Sequence, residues 1–323
     1  MAAELVAARV GAVRRPRPAP GDFVFRYLTF LFALLVLLIL AGVLAALVHG
    51  AWPALRTFGF AFVYTEVWNP VSDKFGAIGP IYGTLVTSAI AMLVGIPVAF
   101  GVAVFITEIC PIWLKRPLAT MIELLAAIPS IIYGIWGLFI FAPFVQTYIE
   151  PAIIDTLGRL PGIGVLFAGP PLGIGMLTAG FILAIMVLPF ISSIMRDVFE
   201  TVPAMLKESA YGLGATRSEV VWRVVLPFTR IGVVGGIMLG LGRALGETMA
   251  VTFVIGNAHR IHLSILQPGT TISAALANEF TEAVGDLYLS SLIALGFILF
   301  TITFIVLAMA KLLLLRLQKR AGG

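Results

Sequence analysis

The chain has 323 residues, of which 60% are hydrophobic and only 11% are charged, and its mean hydropathy is +1.07. An average soluble domain carries about 25% charged residues, so this composition excludes a water-soluble globule. The apolar residues fall in runs of about 20, the length of a helix that crosses a bilayer. They do not alternate with polar residues, as the strands of a membrane β-barrel do.

Six apolar runs predict an all-α integral membrane protein with six transmembrane helices and both termini on one side. The first run exceeds the 7–15 or so apolar residues of a signal peptide, so we interpret it as a retained helix. Pro97, Pro129 and Pro189 lie inside predicted spans, where each removes a backbone donor and favours a bend. The predicted spans are Tyr27–Val48, Pro80–Ile109, Leu118–Phe144, Leu172–Met195, Ile231–Gly256 and Leu287–Leu315.

The distribution of positive charge predicts the orientation of the six spans. With the N-terminus in the cytoplasm, sixteen of the 21 Lys and Arg residues lie on that side, including five arginines that precede or begin the first span. The positive-inside rule therefore favours cytoplasmic termini. The net charge of +5 reflects this topology and contact with anionic lipid, and no nucleic acid is expected as a partner. The outward connections hold Arg56, Lys74, Arg159 and Arg260.

The connection after the fourth span, Thr201–Arg230, is predicted to form two short helices joined by a glycine turn. Gly214 interrupts the first helix. Thr216 and Glu219 have the spacing of a capping box, which predicts the start of a second helix that ends at Pro227. The first helix has a charged side and an apolar side, a pattern typical of a helix that docks in another protein's groove.

The same loop carries a spacing known from one protein family. Glu208-Ser209-Ala210, Gly214 and 224–227 resemble the E-A-A-x3-G-x9-I-x-L-P loop of ATP-binding-cassette (ABC) importer permeases. Ser209 and Val224 are mild departures from that pattern. Residues 75–88 and 239–257 are similar to the PstC permease family of phosphate-specific (Pst) uptake systems, and less similar to their sister permeases.

The resemblance implies the type I ABC importer permease fold, with a five-helix core and one additional N-terminal helix. It divides the chain into a basic cytoplasmic tail (1–26), a first transmembrane helix (27–48), an outer loop (49–79), an ABC transmembrane domain (80–315, with coupling loop 201–230) and a cytoplasmic tail (316–323). It also implies the bacterial cytoplasmic (inner) membrane as the location. The coupling residues implied are Glu208, Ser209, Ala210, Gly214, Leu226 and Pro227.

The resemblance implies a non-catalytic permease subunit with three kinds of partner. These are a PstA-like permease, two copies of a PstB-like ATPase that binds ATP and Mg²⁺, and a PstS-like phosphate-binding protein. The residues agree with this division of labour. The chain contains no G-x4-G-K-[ST] phosphate-binding loop, and none of its five lysines follows a glycine, so we expect ATP hydrolysis in a partner. No cofactor or metal is expected here, since His259 and His262 lack further clustered ligands.

Arg243 and Glu247 lie inside the fifth predicted span and are the candidate residues of the substrate path. Arg243 is twelve residues after Ile231, or about 18 Å along a helix, and charged residues this deep in a membrane are costly. Two interpretations remain open. The residues form an ion pair that holds helices together, or Arg243 presents its planar guanidinium to phosphate while Glu247 balances its charge.

Three other functions are weighed against a phosphate importer. An importer for another oxyanion, such as sulfate, molybdate or phosphonate, would also use a buried arginine. A channel or an ion-driven secondary transporter would place charge in mid-membrane too, but it needs no loop that docks an ATPase. An intramembrane enzyme is not favoured, because the chain has no H-E-x-x-H or G-x-S-x-G motif.

Overall fold

The structure is a computed structural model that describes residues 20–321, with side chains described for 21–316. In that part of the chain every regular element is helical and no strand occurs, which confirms the all-α prediction. Contacts divide the chain into two compact units at His49 and Gly50. Six helices are long and apolar enough to cross a membrane, and we number them as spans one to six: Gly21–Phe58, Ile78–Ile109, Ser130–Thr156, Met176–Glu200, Arg217–Leu245 and Asp286–Arg316.

Several spans are composite, and shorter helices connect them. Span one is part of the helix Pro20–Phe58, and span six is part of Asp286–Ala321. Span two joins Ile78–Val104 to a wider π-helical turn, Phe105–Ile109. Span three combines Ser130–Trp136, Gly137–Phe141, Ala142–Phe144, Val145–Ile149 and Glu150–Thr156, and span five combines Arg217–Val220, Val221–Val225 and Leu226–Leu245. The other helices are Ala61–Tyr64, Pro70–Ser72, Ile112–Ala126, Gly164–Phe167, Ala204–Gly212, Met249–Thr252 and Ile272–Glu279.

Spans two and four form the most extensive helix pair in the unit that starts at Gly50, and span five packs against span four. Glycines at the contacts allow the helices to approach closely. A Cβ at Gly180 would lie 2.6 Å from Ile90, and a Cβ at Gly240 would lie 2.5 Å from Ile191. The core along this contact is mainly aliphatic, and spans two, four and five pack closely around it.

The polypeptide between spans four and five lies at one end of this bundle, and we call that end the loop side and the opposite end the far side. On the far side an aromatic cluster fills the space between connections. Phe75 stacks on Tyr288 at a centroid distance of 5.1 Å, and Trp68 meets Phe75 edge to face at 5.0 Å. The Tyr82 hydroxyl donates to the carbonyl of His262, which ties span two to the connection after span five.

The predicted third span is wrong in its bounds, since the structure has two elements where one helix was expected. A helix ends at Ala126, and span three begins only at Ser130. Pro129 separates them with an extended backbone (ψ 137°), because it has no N–H to continue the helix. Glu123, which was predicted inside the span, belongs to the first element and accepts a hydrogen bond from Arg196 of span four at 3.0 Å.

Span five also differs from its prediction. It begins at Arg217 and ends at Leu245, so the second loop helix does not stop at Pro227 but continues through a π-helical turn into the membrane. The wider turn Val221–Val225 precedes Pro227, whose ring lacks the N–H that an α-helical turn would use. Pro97 and Pro189 lie inside their helices, as predicted.

Candidate transport site and docking loop

Arg243 lies in the last turn of span five, at mid-height of the bundle. Its guanidinium carbon is 5.7 Å from the ring centroid of Phe190. Phe190 is fourteen residues from the start of span four and ten from its end. At about 1.5 Å per residue, either end of span four is therefore about 15–20 Å away. The structure thus supports the predicted depth of Arg243, although span five itself ends two residues later.

The Arg243 side chain is exposed at the surface of the chain and makes no ion pair within residues 21–316. The ion pair with Glu247, one of the two interpretations of the sequence, is therefore not formed. A cation at this depth costs at least about 2.5–3.5 kcal/mol in lipid. The ring of Phe190 offsets only about 0.5–2 kcal/mol of that cost. The exposed face of Arg243 therefore requires water, an anion or a second subunit.

Glu247 follows the end of span five and has a local partner. Its Oε1 accepts a hydrogen bond from the amide of Ala250 at 3.2 Å, at the start of the short helix Met249–Thr252. Span five therefore breaks at Gly246, and a carboxylate satisfies one of the free amides of the new helix. A cavity of about 480 Å³ adjoins this break and includes Thr248 and Ser273 in its lining. The break places polar groups at the end of span five, the helix that carries Arg243.

The loop helix Ala204–Gly212 carries the first part of the predicted docking motif, and Gly214 ends it. Gly214 has φ +86°, a conformation that side chains other than glycine rarely adopt. The amide of Ala215 donates to the carbonyl of Ala210 at 3.1 Å, and the amide of Gly214 donates to that of Tyr211 at 2.9 Å. These two bonds form a Schellman motif, which explains the glycine in the sequence pattern.

The capping box predicted after this turn is present. Thr216 Oγ1 accepts from the amide of Glu219, and Oε2 of Glu219 accepts from the amide of Thr216 at 2.9 Å. Between the two helices lies a cavity of about 330 Å³ that Leu213 and Arg223 help to line. Leu213 is 90% exposed. The loop therefore presents an apolar tip and, beside it, a cavity that it shares with the first turns of span five.

The six predicted coupling residues occupy two different environments. Glu208 and Ser209 are exposed on the loop helix, and Ala210 packs its methyl group against the core. Leu226 also packs against the core, at the start of the last segment of span five, and Pro227 follows it. The structure therefore brings Glu208, Ser209, Ala210 and Gly214 together at the loop, whereas Leu226 and Pro227 belong to the entry of span five.

A carboxylate on the far side, Glu279, has a role that the sequence did not reveal. Its Oε2 accepts from Trp68 Nε1 and from the Tyr288 hydroxyl, both at 2.7 Å, and its Oε1 lies 2.6 Å from Nε2 of His259. Burial raises the pKa of Glu279, but the hydrogen bonds outweigh it and the pKa is lowered. In the sequence, Trp68, His259 and Tyr288 are 211, 20 and 9 positions from Glu279, so no local pattern indicates the cluster.

Six membrane-spanning helices, an amphipathic loop at one end, and an arginine at mid-height with no ion-pair partner among residues 21–316 are the features of a multi-pass membrane transport permease. The model of the family "Binding-protein-dependent transport system inner membrane component" matches residues 95–319. The phosphate transport system permease protein PstC of Mesorhizobium japonicum is 62% identical over 307 residues, covering 95% of this chain and 94% of the relative. Its counterpart from Pasteurella multocida is 57% identical and covers 93% of this chain and 94% of the relative.

The chain belongs to this PstC family of binding-protein-dependent transport permeases. Solved structures support the fold. A chain of a bacterial alginate ABC transporter aligns with a TM-score of 0.58 at 16% identity, covering 91% of this chain and 96% of that one. A chain of the MetNI methionine ABC transporter aligns with a TM-score of 0.56 at 16% identity, covering 78% and 99%. The predicted ABC importer permease fold is confirmed.

Proposed function

We propose that this chain is the permease subunit of an ATP-driven importer of inorganic phosphate and forms half of its translocation path. The observation that carries the proposal is the guanidinium of Arg243, which is at mid-height, exposed, and without a carboxylate partner in the described chain. The relatives described above are phosphate transport system permease proteins, which supports phosphate as the substrate.

The chemistry of Arg243 fits a tetrahedral oxyanion. A guanidinium donates two parallel hydrogen bonds to two oxygens of phosphate, which an ammonium group cannot do. Glu247 lies four residues away, and the amide of Ala250 holds one of its oxygens. In the proposed site its negative charge weakens the attraction for phosphate, so that the anion binds at the centre of the path but still leaves.

A separate ATPase subunit supplies the energy in this proposal, with ATP and Mg²⁺ bound there. The loop helix and Leu213 provide an exposed amphipathic surface, and the 330 Å³ cavity beside Gly214 provides a recess for a side chain of the ATPase. Glu208, Ser209 and Ala210 take part through the loop helix. Leu226 and Pro227 act by fixing the direction in which span five leaves the loop.

The proposed assembly places the loop side in the cytoplasm of a bacterium, with the chain in its cytoplasmic membrane. The sixteen basic residues assigned to that side support this orientation. The partners are a PstA-like permease, which supplies the other half of the path, two PstB-like ATPases and a PstS-like phosphate-binding protein on the far side. When the ATPases close on ATP, the two permease loops move together and the path opens to the far side. After hydrolysis the path closes to the far side again.

Uptake of labelled phosphate into proteoliposomes tests the proposal. The complex contains this chain, the second permease and the ATPase, and it receives ATP on the ATPase side and loaded binding protein on the other. We expect uptake that requires ATP and the ATPase, and that excess unlabelled phosphate suppresses but excess sulfate does not. Uptake without the ATPase would indicate a secondary transporter, and equal suppression by sulfate would indicate a general oxyanion importer.

A further inference from the structure

Lys207 of the loop helix and Glu108 of span two form an ion pair on the loop side. Lys207 Nζ lies 2.6 Å from Oε1 of Glu108, across 99 positions of sequence. The side chains are only 19% and 6% exposed, so the pair is largely shielded from water. Such a shielded pair is held more firmly than a surface pair, because separating it leaves a charge in a poorly solvated place.

The partners of this pair belong to elements that the chain does not join directly. The loop helix is covalently continuous with span four through Thr201–Pro203 and with span five through 213–216. Its main packing neighbours are the first two segments of span five. Glu108, in contrast, lies in the π-helical turn Phe105–Ile109 that ends span two. Lys207 therefore gives the loop helix a fixed point on a third span.

The position of span two makes this third point useful. Span two packs along span four, and near its loop-side end Phe100 contacts both Phe199 of span four and Trp222 of span five at centroid distances of 5.8 and 5.7 Å. These apolar contacts hold the ends of the three spans together, and Ala210 is the residue of the loop helix that packs against the same core. The Lys207–Glu108 ion pair links the loop helix to span two, a span with which it is not covalently continuous.

We propose that the Lys207–Glu108 pair is a positioning contact that transmits the movement of the loop helix to span two during ATP-driven transport. Without the pair the loop helix still docks on the ATPase, but its displacement is taken up by the turns at Thr201–Pro203 and Gly214. Span two then lags behind spans four and five. This inference rests on the proposed function, because it assigns a part in the same coupling process to two residues that the docking motif does not include.

The test uses the assembled transporter in proteoliposomes and measures phosphate imported per ATP hydrolysed. Lys207→Met and Glu108→Gln each remove the ion pair, and the swap Lys207→Glu/Glu108→Lys restores opposite charges in reversed order. We expect each single variant to hydrolyse ATP and to copurify with the ATPase while its phosphate-to-ATP ratio falls at least about fivefold. We expect the swap to recover at least half of the wild-type ratio, as a direct interaction requires.

A matched control is Lys115→Met, because Lys115 donates to the carbonyl of Thr107 at 2.7 Å in the same π-helical turn but belongs to the helix Ile112–Ala126. Its phosphate-to-ATP ratio should equal that of the wild type.

An unchanged ratio in both single variants overturns the inference, and so does loss of the ATPase from their complexes, which makes Lys207 a docking residue. Should the singles not assemble, the swap decides: at least half of the wild-type ratio supports the pair, and less contradicts it. A wild-type complex without ATP-dependent phosphate uptake would instead refute the proposed function.

Discussion

Two charged groups of the chain, Glu279 and Arg243, differ in how far the fold supplies them with partners. Glu279 on the far side has three ring partners within 2.7 Å, whereas Arg243 at mid-height has an aromatic ring beside it and no carboxylate within the described residues. Both positions are unfavourable for an isolated charge. The difference indicates that the fold itself supplies the hydrogen-bond partners of Glu279, whereas the partner of Arg243 comes from outside the chain.

The comparison separates structural from functional charges in a way that burial alone does not. Glu279 is the more shielded of the two, yet its partners account for its hydrogen-bonding capacity. Removing Glu279 should therefore damage the fold and spare the chemistry. Removing Arg243 should spare the fold and abolish the chemistry. The variants Arg243→Gln and Glu279→Ala test these two statements.

Arg243→Gln should reduce phosphate uptake by at least about a hundredfold, because hydrogen bonds to charged groups contribute about 1.5–3 kcal/mol each and a bidentate contact loses two. The amount of assembled complex in the membrane should not change. Arg230→Gln is the control, since it removes the same group thirteen residues earlier in span five. Uptake at the wild-type rate in Arg243→Gln would end the assignment of this residue to the path.

Glu279→Ala should lower the free energy of unfolding by about 3 kcal/mol, since three partly or fully buried partners lose their acceptor and each such loss costs about 1–3 kcal/mol when the group is buried. Uptake per assembled complex should remain near the wild-type value. Thermal unfolding of the purified complex measures the first quantity, and uptake normalised to complex the second. Glu66→Ala, which removes an exposed carboxylate that accepts from the amide of Ile261, should have a much smaller effect on unfolding. Equal destabilisation by both substitutions would contradict the structural role of the cluster.

The lowered pKa of Glu279 predicts sensitivity of the far-side cluster to acid. A carboxylate whose pKa is depressed in the folded state stabilises that state fully when the pH is above its unfolded pKa, near 4.5. The stabilisation is lost as the pH falls through the lower pKa of the folded state. Each unit of pKa difference corresponds to about 1.4 kcal/mol. The fluorescence of Trp68, taken as the difference between wild type and Trp68→Phe, should change as the pH falls through the folded pKa of Glu279. Glu279→Gln should abolish the transition, and an unaltered transition in that variant would assign it to another group.

The sequence predicted the parts of this molecule that depend on local pattern. Apolar runs predict the six spans, and the spacing of Thr216 and Glu219 predicts a capping box that the structure contains. The predictions failed where neighbouring elements decide. Pro129 could bend a helix or end it, and the structure shows that it separates two elements whose second is span three. Pro227 could end a helix, but a π-helical turn accommodates it.

The candidate sites divide in the same manner. The depth of Arg243 and the residues of the docking loop follow from position in the sequence. The absence of a bond between Arg243 and Glu247 does not, because a spacing of four residues favours contact only while the helix continues, and span five ends at Leu245. The Glu279 cluster and the Lys207–Glu108 pair join distant parts of the chain, so only the packing of the spans reveals them.

Gly214→Ala should have the smallest effect, and it tests whether the backbone conformation of the loop matters as much as its side chains. A Cβ at Gly214 would meet no atom within 4 Å, so Gly214→Ala costs only the strain of φ +86°, about 1 kcal/mol. That cost lowers the ratio of ordered to disordered loop by a factor of about five and should lower phosphate imported per ATP by at most about fivefold. Gly212→Ala is the control, because Gly212 is helical and equally open, so alanine should be neutral or slightly stabilising there. If both variants coupled as well as the wild type, the Schellman turn would be dispensable, and docking would depend on the side chains of the loop helix alone.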